Sequence, residues 1–141
     1  EQLIEHLPGH IEVRYRGTVS YEEVNRVFSR AHLFLFPTHG ENYGHVIHES
    51  LLAGCPVLIS DQTPWRNLRR LGIGWDLSLV HPKAFGDALQ HCVDLNEEKF
   101  LELSRAARKY GLTSGVDDNL KKENTRLFSN AIAASAIEKR A

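Results

Sequence analysis

The chain has 141 residues, a length that suits one domain. Hydrophobic residues make up 42% and charged residues 25%, ordinary values for a globular protein, and no apolar run reaches the roughly 20 residues that would span a membrane. Seventeen basic against eighteen acidic residues leave a net charge of -1, which argues against general nucleic-acid binding, so no nucleic-acid partner is expected.

Two cysteines, Cys55 and Cys92, are too few for a disulfide framework and point to a reducing, cytoplasmic compartment. No charged-then-apolar signal segment opens the chain. The first residue is Glu1 rather than Met, and we expect the chain to be a piece of something longer.

In chain order, "IEVRYRG" (Ile11–Gly17) alternates apolar and charged residues and predicts a half-buried strand. Ser20 with Glu23 matches a capping box and predicts a helix from Tyr21 to about Arg30. "AHLFLFP" (Ala31–Pro37) reads as a buried strand closed by proline. A helical pattern then starts near Asn42 and stops at Gly54, followed by the buried strand "PVLIS" (Pro56–Ser60). Thr63 as N-cap and Pro64 at the first helical position predict a helix ended by Gly72. Arg66, Arg69 and Arg70 read as its solvated face. "GWDLSL" (Gly74–Leu79) is a weaker strand. Three helices complete the pattern: His81–Leu95, Asn96–Gly111 with Asn96 as cap and Gly111 as stop, and Val116–Ala136.

Alternating β and α units with buried strands predict an α/β fold: a Rossmann-like parallel sheet with helices on both faces. Three or four strands make a thin sheet for that class, and we expect a first βα unit upstream of this chain.

In open α/β sheets, ligands bind at the carboxyl ends of the strands. "RGTVS", "PTHGENYG" and "SDQTPW" fall there. Gly40 and Gly44 let backbone approach a ligand, and a helix starting near Asn42 presents free N–H groups over residues 42 to 46. Glu41 stands before that start and Glu49 about two turns into the helix, a span of roughly 12 Å if all were helical. A carboxylate at each end, with N–H donors between, suits a sugar, a diphosphate and a ribose in sequence. From the residues alone, a solvent-exposed glutamate pair accounts for the spacing equally well.

His39, His45 and His48 lie close to Glu49, but "HVIHE" is not the HExxH order of a zinc protease and no cysteine ligand is near. We expect no metal, and read these histidines as the wall of the ligand cleft. Asp61 reads as a turn residue, and Trp65 and Trp75 as packing residues.

"PTHGENYGHVIHESLLAGCPVLISDQTPWRNL" resembles the central signature of family-4-type glycosyltransferases (glycosyl transferases group 1) of GT-B architecture, which carry a Glu, seven residues, then Glu. The resemblance extends from about Ile11 through "YRGTVSYEEVNRVFSRAHLFLFP" to Trp75. It implies a single, partial carboxyl-terminal nucleotide-sugar-binding domain over residues 1–141 of an enzyme that retains anomeric configuration and needs no metal. Glu41 would contact the donor sugar and position the reacting centre, with the main chain of Asn42, Tyr43 and Gly44 beside it. His45 and Val46 N–H groups would bind the diphosphate, and Glu49 the ribose. Val19 would lie beside the nucleobase, with Thr18 and Tyr21 nearby.

The basic Arg and Lys that such enzymes carry upstream have no counterpart before "EQLIEHLPGHIEV", and the acceptor-binding amino-terminal domain is not in this sequence. The resemblance therefore implies a nucleotide-sugar donor as ligand and a missing acceptor domain as partner. It leaves room for peripheral membrane association of a full-length enzyme, and implies no transfer by this chain alone. Two other readings stay open: a non-catalytic nucleotide-binding module, and a GT-B sugar-nucleotide epimerase.

Overall fold

Among the described residues three parallel strands organise the fold, in the spatial order β1 (Phe34–Phe36), β2 (Val57–Ser60), β3 (Gly74–Leu77). The structure is a computed structural model that describes residues 8–114. Phe34 pairs with Val57, and Val57 in turn with Gly74. Five helices complete the order: α1 (Tyr21–Phe28), α2 (His45–Leu52), α3 (Leu68–Leu71), α4 (Pro82–Val93) and α5 (Glu97–Ser114). The helix expected over Val116–Ala136 lies outside the described residues.

The central strand is buried along its whole length, as a parallel strand covered on both faces must be. Its side chains alternate between two cores. Val57 and Ile59 join Ile47 and Leu51 of α2, Leu68 of α3 and Ala107 of α5. Leu58 faces the other way, toward Trp75 of β3 and Ala88 of α4, with Phe85 and Cys92 packed against them. The result is the expected Rossmann-like α/β arrangement, consistent with the carboxyl-terminal half of a GT-B enzyme.

Several local expectations are corrected. The segment Ile11–Gly17 forms no strand: Ile11 is 47% exposed, Val13 50% and Tyr15 96%. Alternation is realised only against a neighbouring strand and a core face, and among the described residues this segment meets neither. The helix expected from Thr63 and Pro64 starts later, at Leu68 after Asn67 in the left-handed region (φ 60°). Its cap comes from a distant residue: the carboxylate of Asp76 on β3 accepts from the N–H of Asn67 at 3.0 Å and of Leu68 at 2.9 Å. Thr63 instead accepts from the N–H of Trp65 at 3.3 Å, in a turn. The start of α2 is corrected with the site below.

The fourth correction concerns Gly111, which does not end α5. The helix runs on to Ser114, and Gly111 marks its closest approach to α2. A Cβ at Gly111 would stand 2.6 Å from the Leu52 nitrogen and 2.8 Å from the Leu51 carbonyl carbon, so only glycine lets the backbones meet. Two hydrogen bonds secure the contact: His48 Nε2 donates to the Gly111 carbonyl at 2.9 Å, and Ser104 Oγ to the Gly54 carbonyl at 2.7 Å. The helix expected after Ser20 forms, but the capping box does not: the Ser20 hydroxyl donates to the Glu23 carboxylate at 3.1 Å and makes no cap to a helix N–H. β1 is half-buried at Phe34 and Phe36 and exposed at Leu35, where Ala31–Pro37 was expected to be buried, because among the described residues it lies at the edge of the sheet. Asn96 caps α5 as expected, its Oδ1 accepting from the Lys99 N–H at 2.9 Å.

Gly111→Ala should lower the unfolding free energy by about 1–3 kcal/mol, read as a lower urea midpoint, because the added methyl has no room without moving α5. Burial pushes the Cys55 thiol up, Cys92 pushes it further, and a Ser50 hydrogen bond opposes them. A thiol raised on folding contributes stability that is full below the ordinary cysteine value, about 8.5, and is lost as pH rises through the folded value. Urea midpoints should therefore fall above about pH 8.5. Iodoacetamide at neutral pH should label Cys55 only after unfolding.

Candidate functional site

The carboxyl ends of β1 and β2 open into two loops, residues 37–44 and 61–67, that are sewn to each other. Thr38 Oγ1 donates to the Gly40 carbonyl at 2.9 Å and accepts from the Gly40 N–H at 3.2 Å, closing a tight polar turn. Ser60 Oγ, buried at the end of β2, donates to the Thr38 carbonyl. The Glu41 N–H reaches the Gln62 carbonyl at 3.2 Å. Farther along, Trp65 Nε1 donates to the Tyr43 carbonyl at 2.7 Å.

Gly44 determines where α2 begins. It is buried and left-handed (φ 77°, ψ 53°), and the helix therefore starts at His45 rather than near Asn42. A side chain could not follow it: a Cβ there would stand 2.8 Å from Ile47 Cδ1 and 2.9 Å from Trp65 Nε1. The Gly44 carbonyl accepts from Ile47 at 2.9 Å and His48 at 3.1 Å. The N–H groups of His45 and Val46 find no acceptor among the described residues, as expected of the first two positions of a helix. They are two donors at the positive end of the helix dipole. Donors from a helical Asn42, Tyr43 and Gly44 do not exist, because those residues are loop.

The two glutamates are placed differently by this start. Glu41 is half-buried in the loop, outside the helix, and Glu49 is half-buried on α2. Glu49 follows His45 by four residues, about 6 Å of helix and just over one turn. It was expected two turns in, on a helix counted from Asn42. Asn42, Tyr43 and His45 are exposed, and the Tyr43 and His45 rings lie 4.4 Å apart; Val46 is half-buried.

α1 lies alongside α2, and a cavity of about 290 Å³ opens between them, lined by Tyr21, Glu22, Val24, Asn25, Glu49 and Leu52. The structure thus brings Tyr21 and Glu49 together. Thr18, exposed, and Val19, half-buried, precede α1 and are not part of this lining. His48 does not face the cleft as expected. Its Nε2 is committed to Gly111, and its ring stacks 6.1 Å from that of Trp65. Among the described residues, no three His, Cys, Asp or Glu side chains gather as a metal ion would need.

Trp65 is the residue that sequence reasoning undervalued. It packs between His48 and Tyr110 and also holds the Tyr43 carbonyl one residue before the left-handed turn. The available signal was chemical: a half-buried indole needs an acceptor for its N–H, and a loop carbonyl is the common one. Asp76, Thr38 and Ser60 carried no signal, since their partners are 8 to 22 residues distant.

Trp65→Phe keeps an aromatic ring in the packing site but deletes the donor. It should cost about 1 kcal/mol of stability, and it should speed hydrogen exchange at the amides of residues 41 to 46 more than in the β2 core.

The family model for glycosyl transferases group 1 matches residues 1–113. No curated protein and no solved structure matches the chain. The match spans the sheet, the sewn loops and nearly all of α5, and the chain belongs to the glycosyl transferases group 1 family.

Proposed function

We propose that this chain is the donor-binding part of a transferase that moves a sugar, of hexose type, from a nucleoside-diphosphate sugar to an acceptor with retention of configuration. The observation that carries the reading is the start of α2. Two free N–H groups, on His45 and Val46, stand at the positive end of a helix with Glu41 before them and Glu49 behind. Those donors suit the diphosphate. Glu41, with the main chain of Asn42, Tyr43 and Gly44, contacts the sugar and positions its reacting carbon. Glu49 accepts from the ribose hydroxyls, and Tyr21, with Thr18 and Val19 on the approach to α1, borders the base. Family membership and the shared cavity of Tyr21 and Glu49 support this assignment.

The chemistry asked of these residues is electrostatic. As the bond from the sugar to the diphosphate breaks, negative charge grows on the leaving oxygen, and fixed N–H dipoles stabilise it without reorganising. The resemblance implies that no metal is required, and that an upstream Arg and Lys supply the remaining positive charge. An amino-terminal domain outside this sequence brings the acceptor, so the 141-residue chain binds donor but transfers nothing by itself. No helix among the described residues is long and apolar enough to cross a membrane. Two free cysteines favour a cytoplasmic site of action, where a full-length enzyme meets nucleotide sugars and has access to a membrane surface.

Titration with UDP, GDP and ADP, followed by NMR at the amides of residues 41 to 49, should shift His45 and Val46 first. No movement with any of the three at millimolar concentration refutes the binding site. In a full-length enzyme, Glu41→Ala should lower turnover about a hundredfold by misplacing the reacting sugar. Unchanged turnover refutes the role of Glu41.

A further inference from the structure

The cavity between α1 and α2 has a one-sided lining. Of its six residues, Glu22 and Glu49 are carboxylates, Asn25 an amide, Tyr21 a phenol, Val24 and Leu52 apolar, and no Lys or Arg is present. Glu23, next along α1, is engaged by Ser20 at 3.1 Å and Arg26 at 2.6 Å. The side chains of Glu22, Asn25 and Glu49 form no such hydrogen bond or ion pair among the described residues. Glu22 is exposed and Glu49 half-buried, so water meets both carboxylates, and a ligand that displaces this water gains most by presenting a donor to each.

On the reading that α2 and Glu49 hold a nucleoside diphosphate, Glu49 is satisfied by the ribose hydroxyls. Glu22 is left for the base, and the bases differ in what they offer a carboxylate. Uracil has one ring N–H between two carbonyl oxygens, which a carboxylate repels. Adenine has a single amino group beside an acceptor nitrogen. Guanine has a ring N–H and an amino group side by side, two parallel donors that match the two oxygens of one carboxylate. Its remaining edge carries O6 and N7, both acceptors, which suit the NH2 of Asn25. Val24, Leu52 and the Tyr21 ring supply apolar walls for a flat ring.

We propose that this cavity takes guanine, read by Glu22 with Asn25, and that the donor is a GDP-sugar. The inference rests on the donor-site reading above and adds the base to it. Glu22 also stands in the first turn of α1, where any acid complements the helix dipole, so the test separates affinity from stability.

The 141-residue chain is titrated with GDP, UDP and ADP by calorimetry and by NMR, for the native sequence and for Glu22→Gln, with a urea midpoint for each protein. GDP should bind about tenfold or more tighter than the other two. Glu22→Gln should remove about a tenfold share of the GDP affinity and leave UDP and ADP as they were, whatever its small effect on the urea midpoint. UDP or ADP binding as tightly as GDP overturns the guanine assignment but leaves the donor site standing. GDP binding undiminished in Glu22→Gln overturns the role of Glu22. No amide shift in residues 41 to 49 with any nucleotide removes the donor site and this inference together.

Discussion

Burial of β2 on both faces is the constraint from which the remaining structure follows. Val57 and Ile59 require one layer of helices, Leu58 requires another, and the chain supplies α2, α3 and α5 on one side and α4 on the other. Because β2 has strands on both edges, its backbone donors and acceptors are met by β1 and β3. Its last residue, Ser60, is also buried, and its hydroxyl has to find an acceptor. That acceptor is the Thr38 carbonyl at the end of the neighbouring strand. The need to satisfy one polar group in the core thus ties the loops of the candidate site to the buried central strand.

The packing of α5 on α2 plays a second part. α2 carries the helix start and Glu49 on one side, and it is pinned from behind by Ile47, Leu51 and the close approach at Gly111. His48 belongs to that rear contact and serves packing. One helix thereby separates two duties along its circumference: anchoring at residues 46, 47, 48 and 51, and a more open face at residues 45 and 49.

Much of this was legible in the sequence. "PVLIS" read as a buried strand because four consecutive residues needed to be apolar or small, and burial on two faces leaves that trace. The glycines at 40 and 44 and the glutamates at 41 and 49 located the candidate site. The start of α2 was read three residues early, because periodicity does not register a left-handed glycine that delays the first turn. "IEVRYRG" has the alternation of a strand, yet alternation records a preference and not the presence of a neighbour. Gly111 looked like a helix stop, although its role is a backbone contact with residues 51 and 52, some sixty positions earlier. The misses at Thr63 and Gly111 share a cause: each depended on a partner distant in the chain.

The sewn loops also bear on the entropy of recognition. Flexible loops that order around a ligand forfeit part of their contact energy to lost freedom. Here Thr38, Gly40, Glu41 and Tyr43 are tied to Ser60, Gln62, Trp65 or to one another within the protein itself. The ordering of the site is thus completed when the core forms, and a ligand meets a surface already shaped. On the proposed donor-binding reading, a ligand at the start of α2 is selected by the fit of its atoms, with little left for ordering of these loops to decide.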